Sequence, residues 1–239
     1  MTTAPVPARE PRAADSELLD PPLYTMWSAF QHQPGVLPGR REPIASEATA
    51  FLDDVAAHDV VVRGVYRLSG IRADADWLVW WHAPTLPVLQ DAYDQLRRTR
   101  WGAAARPQWS VVGAHRPAEF NADHQPAYLR GQAPGRYLTV YPFVRSLEWY
   151  LLDSGVRARL LAEHGAAARP FPDVLSSTVA SFGLSDYEWI LALEAAEPHR
   201  IIDLMRAFRA TRARRHVRLE TPFYAGERVT VPALIATLP

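Results

Sequence analysis

Three residues of the C-terminal half have types and spacings that could hold and transform a flat, acidic ligand. Counting back from His164 by helical spacing gives Leu160 and Val156, and counting forward gives Ala167 and Ala168. That face is apolar, and the alanines keep it open beside the histidine. A neutral imidazole there can offer one nitrogen to a flat, apolar ligand containing iron. The same pattern also suits a core histidine bonded to a carbonyl, and spacing alone leaves both readings open. Tyr141 lies in the run Tyr137-Leu138-Thr139-Val140-Tyr141-Pro142-Phe143-Val144-Arg145. With a period of two, Tyr137, Thr139 and Tyr141 share one face. Pro142 removes a ladder donor, which predicts a strand that ends there or lies on an edge. Arg145 follows, and a phenol near a guanidinium suits a ligand that carries carboxylates, which arginine binds in bidentate fashion. The plainer alternative is a buried tyrosine and a surface arginine.

A third group is His124, in Asn121-Ala122-Asp123-His124-Gln125-Pro126. If that segment folds over a pocket, His124 is a candidate general base; otherwise it is a solvated loop histidine. The remaining histidines read as structural. His82 ends a strand, His199 begins a helix, His32 and His58 sit beside loops, and His115 borders the linker. His216 belongs to a basic run expected at a solvated helix end.

Composition narrows the chemistry. The chain has 239 residues, 48% of them hydrophobic, enough for one large domain or two of ordinary size. Lysine and arginine number 26, as do aspartate and glutamate, so no overall basic field attracts nucleic acid or an anionic membrane. The absence of cysteine excludes disulfides, thiolate-ligated haem, iron–sulfur clusters and cysteine–zinc sites. The first residues are rich in Ala, Pro, Arg and acidic side chains without an apolar stretch, so no signal peptide is expected. No apolar run is long enough to span a membrane, and the cytoplasm is the expected compartment.

The elements that must position these groups announce themselves through an internal repeat. The run Asp76-Trp77-Leu78-Val79-Trp80-Trp81-His82-Ala83 matches Glu188-Trp189-Ile190-Leu191-Ala192-Leu193-Glu194-Ala195 at an offset of 112. The match continues without a gap, placing Asp91 on Asp203, Leu96 on Phe208, Arg97 on Arg209 and Thr99 on Thr211. The first half then reads as a strand at 24–30, a helix at 47–57, strands at 60–66 and 77–83, a helix at 86–98 and a strand near 109–112. The second reads as a strand at 137–143, a helix at 156–167, strands at 175–182 and 187–195, a helix at 198–213 and a strand near 219–223.

Each half is thus β-α-β-β-α-β. The expected fold class is α+β, with two tandem ferredoxin-like halves forming a dimeric α+β barrel within one chain, their sheets meeting face to face. Residues 1–19 read as a disordered tail, 20–115 as a structural N-terminal half, 116–135 as a linker carrying His124, and 136–239 as the half that binds the ligand.

Several of these segments together resemble the coproheme decarboxylases of the chlorite-dismutase-like superfamily, in the actinobacterial style. They are the run from Tyr137 to Leu152, then Ala162-Glu163-His164-Gly165, Thr178-Val179-Ala180-Ser181-Phe182, Asp186-Tyr187-Glu188-Trp189, Arg209-Ala210-Thr211 and Arg214-Arg215-His216-Val217. The resemblance covers most of the C-terminal half. It implies that His164 is the proximal iron ligand, Tyr141 the catalytic tyrosine and His124 the distal base. It also implies that Arg145 binds a propionate and that Trp149 lines the pocket near Tyr141. The implied substrate and redox centre is iron-coproporphyrin III (coproheme), with hydrogen peroxide as oxidant and haem b as product. A homopentamer and a transient contact with a ferrochelatase belong to the same expectation. Ala213 falls where other branches carry a polar distal residue, which counts against chlorite degradation. A chlorite dismutase, a haem peroxidase and a non-catalytic haem carrier or sensor stand as alternatives.

Overall fold

The computed structural model describes residues 23–117, 119–120 and 125–239. The expected N-terminal tail and His124 lie outside them.

The first half runs β1 (Tyr24–His32), α1 (Glu42–Ala57), β2 (Val61–Arg67), β3 (Trp77–Ala83), α2 (Leu86–Arg98), the short α3 (Arg100–Ala103) and β4 (Ala105–Ala114). The second runs β5 (Tyr137–Arg145), α4 (Ser154–Ala168), β6 (Leu175–Ala180), β7 (Trp189–Ala195), α5 (Pro198–Arg209), β8 (Val217–Leu219), β9 (Tyr224–Val229) and α6 (Val231–Thr237). The strands of the first half lie in the order β4-β1-β3-β2, and those of the second in the order β6-β7-β5-β8. The two halves do not stack as separate sheets. β9 bridges β5 to β2, β6 meets β4 at Ala114 and Ala180, and β5 pairs with β7. One antiparallel sheet therefore closes into a barrel, which removes its edges.

Alternation along the strands sorts side chains to the two faces of this barrel. Trp27, Tyr66, Leu78, Trp80, Leu138, Val140, Val179, Ile190 and Ala192 fill the interior, drawn from both halves. Tyr128, from the predicted linker, closes into the same core. A buried ion pair, Arg63 Nη2 to Glu194 Oε2 at 2.7 Å, joins β2 to β7. The linker is tied to this pair, since Arg63 donates to Gln132 O and Gly135 N donates to Glu194.

Four sequence expectations need correction. α1 begins at Glu42 rather than 47, because Pro43 in its first turn costs no hydrogen bond there. α5 stops at Arg209 and does not reach Ala213. Thr211 turns extended and donates to Phe208 O, as Thr99 does to Leu96 O at the end of α2. β5 neither ends at Pro142 nor lies on an edge. Its ladder to β9 ends at Val140 and that to β8 starts at Val144, so Pro142 falls in a gap on that flank while β7 pairs the other. Finally, the last strand predicted near 219–223 is two strands, β8 and β9, followed by α6. That helix packs with α1 on the first half.

Candidate functional site

The two halves are alike in backbone and unlike in filling, and the difference makes the site. In the first half Phe30, Trp77 and Trp101 form a continuous stack with successive ring centroids 4.2 Å apart. Such pairs contribute roughly 1 kcal/mol each beyond their burial. The pairing registers Phe30↔Trp77 and Phe143↔Trp189 make Phe143 the counterpart of Phe30. The offset of 112 makes Trp189 the counterpart of Trp77, and Ala213 that of Trp101. A large ring is thus replaced by a methyl group. The helix above changes likewise. α1 buries Ile44, Ala48, Phe51 and Val55, whereas α4 buries only Leu160. At the positions of Phe51 and Val55, α4 has Glu163 and Ala167, and Glu163 turns outward to bond Arg212. The space left between α4, α5 and the sheet is a cavity of about 330 Å³, lined by Phe143, Trp189 and Ala213 among others.

Four of the five sequence-predicted residues meet in this cavity, and His124 lies outside the described residues. Tyr141, Arg145, Trp149 and His164 all line it. Asp153 caps α4 by accepting from Gly155 N and Val156 N, and this helix carries His164 to the cavity wall. The imidazole stacks on Phe208, with centroids 3.9 Å apart and an interplanar angle of 22°. Its Nδ1 is 3.5 Å from Thr211 Oγ1, whose hydrogen is already donated to Phe208 O at 2.9 Å. Thr211 can therefore only accept at that contact. Nδ1 carries the hydrogen and Nε2 keeps a free lone pair. Burial, with the Arg145 charge nearby, pulls the His164 pKa down to about 4, so the imidazole is neutral at physiological pH.

Tyr141 is buried on the outer face of β5, stacked on Phe223 at 4.7 Å, and its hydroxyl meets Met205 Sδ at 3.5 Å. Burial, reinforced by the Glu220 carboxylate, holds the phenol well above its ordinary range, so it keeps its proton. Arg145 places its guanidinium between two aromatic faces, 4.0 Å from the Trp149 ring centroid and 4.5 Å from that of Phe143. Burial lowers its pKa to about 10, which leaves it charged at neutral pH. Trp149 itself sits in the 3-10 turn Trp149–Leu151 with 4% exposure.

Sequence reasoning missed other lining residues, among them His115, Arg116, Tyr150, Arg209, Arg214 and Glu220. Glu220 accepts ion pairs from both Arg209 and Arg214, so those two cations are already engaged. Among the described residues the Arg145 guanidinium has no such partner, which leaves it available to a carboxylate from outside. His216 is no solvated helix end: its ring lies 5.5 Å from that of Trp149, and its Nδ1 lies 3.3 Å from Ser146 Oγ. Ala213, in the 3-10 turn Arg212–His216, presents only its methyl group to the cavity. The cavity thus combines a neutral nitrogen donor, a protonated phenol, an unpaired guanidinium and flat apolar walls.

Comparison with known proteins gives the family. The chain is 54% identical over 217 residues to a coproheme decarboxylase of Mycolicibacterium smegmatis, covering 90% of this chain and 94% of that one. It is 27% identical over 177 residues to a coproheme decarboxylase of Staphylococcus carnosus, covering 66% and 70%. Among solved structures, chlorite dismutase from Candidatus Nitrospira defluvii in complex with imidazole superposes with a TM-score of 0.80 at 25% identity, over 94% of this chain and 98% of that one. Residues 41–229 match the family model described as chlorite dismutase, and the chain belongs to that family.

Proposed function

We propose that this chain is a coproheme decarboxylase, converting two propionates of coproheme to vinyl groups and releasing haem b. The observation that carries the reading is the meeting of His164, Tyr141, Arg145 and Trp149 in one cavity. The 54% identity to a protein of that name supports it.

The substrate brings its own iron, already held by four porphyrin nitrogens, and supplies the redox chemistry. His164 Nε2, with its free lone pair, would hold that iron. Phe208 fixes the plane of the imidazole. Arg145 holds a propionate by charge-assisted hydrogen bonds, its own position set by Phe143 and Trp149. Tyr141, protonated at rest, would give up an electron with its proton and then take a hydrogen atom from the propionate β-carbon; as a second electron leaves the side chain the bond to the carboxylate breaks and carbon dioxide departs. Each conversion removes two electrons and one proton from the side chain. One hydrogen peroxide takes the two electrons with two protons and becomes two waters, so the overall step consumes one proton from solvent. Orientation is the main protein contribution, since the correct C–H bond must face the phenol oxygen.

His124 is assigned as the base that deprotonates peroxide. Its support is the sequence resemblance, together with His115, Arg116 and Glu119 shortly before it, which line the cavity. Peroxide as oxidant, a homopentamer, a cytoplasmic location and transient contact with a ferrochelatase are parts of the same reading and rest on the resemblance. Among the described residues no helix is long and apolar enough to cross a membrane. The test is direct. Peroxide added to the coproheme complex should release two carbon dioxide molecules per porphyrin. A stable complex that consumes peroxide and releases none would refute the reading.

A further inference from the structure

Two tyrosines line the cavity, and their hydroxyls are prepared for oxidation in opposite ways. Tyr141 is buried, and its hydroxyl faces a thioether, Met205 Sδ at 3.5 Å. Tyr150 is 44% exposed, and its hydroxyl donates to Glu188 Oε2 at 2.8 Å. Trp189 Nε1 donates to the same phenol oxygen at 3.3 Å. Both rings stand edge-on against Phe182, which is 49% exposed, at centroid distances of 6.1 Å for Tyr150 and 5.2 Å for Trp189. Glu188 is held in place because Arg145 N also donates to its Oε2, at 2.8 Å.

A phenol gives up an electron readily only when its proton can leave in the same event. A carboxylate at hydrogen-bond distance takes that proton, whereas a thioether is a weak acceptor. In the ligand-free cavity the Tyr141 hydroxyl meets only that thioether, so its proton must pass to the bound substrate or to solvent beside it. The Tyr150 proton has a built acceptor, and burial with the Glu188 contact raises its pKa to about 12, so the phenol is neutral beforehand. Tyr150 and Trp189 also reach from the cavity wall to the molecular surface.

We infer that Tyr150, with Glu188 as its proton acceptor and Trp189 beside it, is a second oxidisable site through which one-electron reductants in solution reduce the oxidised porphyrin in the cavity. The inference rests on the reading above, because the oxidant is hydrogen peroxide reduced at the porphyrin iron. In each cycle one electron passes from Tyr150 to the oxidised porphyrin and the phenolic proton passes to Glu188. The phenoxyl then takes an electron from the external donor and recovers its proton from Glu188. Two cycles, with two protons from solvent, reduce one peroxide to two waters. The route drains oxidising equivalents when no propionate stands ready at Tyr141. Its donors are one-electron reductants of any size, because they need to touch only the rim.

The test uses the full chain loaded with coproheme, in a Tyr141→Phe background that blocks decarboxylation. Ferrocytochrome c serves as the donor because it is too large to enter the cavity. Peroxide should oxidise two ferrocytochrome c per peroxide, and adding Tyr150→Phe should slow this at least about tenfold. Glu188→Gln keeps the shape and the Arg145 contact but removes the proton acceptor, and it should slow the reaction similarly. Freeze-quenched samples should show a tyrosyl signal in Tyr141→Phe that disappears in the double variant. Equal ferrocytochrome c oxidation with and without Tyr150, in variants that bind coproheme alike, would overturn the inference. So would a tyrosyl signal that survives in the double variant. Failure of the decarboxylase reading appears separately, as absence of carbon dioxide from the wild type.

Discussion

The imidazole of His164 lies nearly flat on the phenyl ring of Phe208, 3.9 Å between centroids. At the offset of 112 the position of Phe208 is held in the first half by Leu96 and that of His164 by Leu52, two aliphatic side chains. The second half replaces them with a stacked imidazole and phenyl ring, a mount for a nitrogen donor. The backbone that holds it is the repeated Thr turn, in which Thr211 repeats the bond made by Thr99.

That mount gives Thr211 a measurable role. Thr211→Val removes the acceptor at Nδ1 while keeping the volume. Loss of such a partner typically costs about 10- to 100-fold in metal affinity or activity. Titration of the variant with coproheme should show weaker binding and a shifted axial-ligand spectrum. An unaltered spectrum and affinity would show that the 3.5 Å contact does not orient the ring.

The cavity exists because Ala213 stands where the other half has Trp101. Ala213→Trp should fill it from the wall. The expected outcome is a folded protein, with a thermal midpoint no lower than that of the ligand-free wild type, that no longer takes up coproheme. Retained coproheme binding with near-wild-type affinity would place the substrate elsewhere.

Arg145 is the guanidinium left for a substrate carboxylate. Hydrogen bonds to charged groups contribute about 1.5–3 kcal/mol, so Arg145→Ala should weaken coproheme binding by roughly 10- to 100-fold. Arg145→Lys should recover only part of this, because an ammonium cannot stack between Phe143 and Trp149. The comparison with a porphyrin whose propionates are esterified is decisive. Arg145→Ala should discriminate less between the acid and the ester than wild type does, and unchanged discrimination would contradict the assignment.

Acid should destabilise the ligand-free protein partly through His164. Its pKa falls from 6.5 when unfolded to about 4 when folded, so between these values the unfolded chain binds a proton that the folded chain does not. The stabilising contribution is complete above the unfolded value and is lost as pH falls toward the folded one. Linkage puts the slope at about 1 kcal/mol per pH unit between about pH 6 and pH 5. Denaturant titrations of His164→Leu should show a pH dependence flatter by about that amount. An identical slope in both proteins would mean that His164 is not held neutral by burial.

Much of the fold and of the site is legible in the sequence alone. The offset of 112 places the third strand and the second helix of each half, and the period of two puts Tyr141 on one face with Tyr137 and Thr139, the face that α5 covers in the structure. His164, Tyr141, Arg145 and Trp149 were named from sequence and share one cavity. The cavity itself was latent in the same offset, since aligning Trp101 with Ala213 marks the missing ring. Barrel closure was not legible, because it depends on β9, whose pairing with both β2 and β5 is long-range. The ion pairs of Glu220 with Arg209 and Arg214 were also hidden, since side-chain partners that meet across a turn leave no periodic trace.

The most direct test of the account is a mass-spectrometric time course of the porphyrin after peroxide is added to the coproheme complexes of wild type and Tyr141→Phe. Wild type should show loss of one and then two carboxyl groups, ending at haem b. Tyr141→Phe should hold coproheme with the wild-type axial-ligand spectrum and leave its mass unchanged. Sequential decarboxylation by Tyr141→Phe at the wild-type rate, or an unaltered coproheme mass in wild type, would contradict the account.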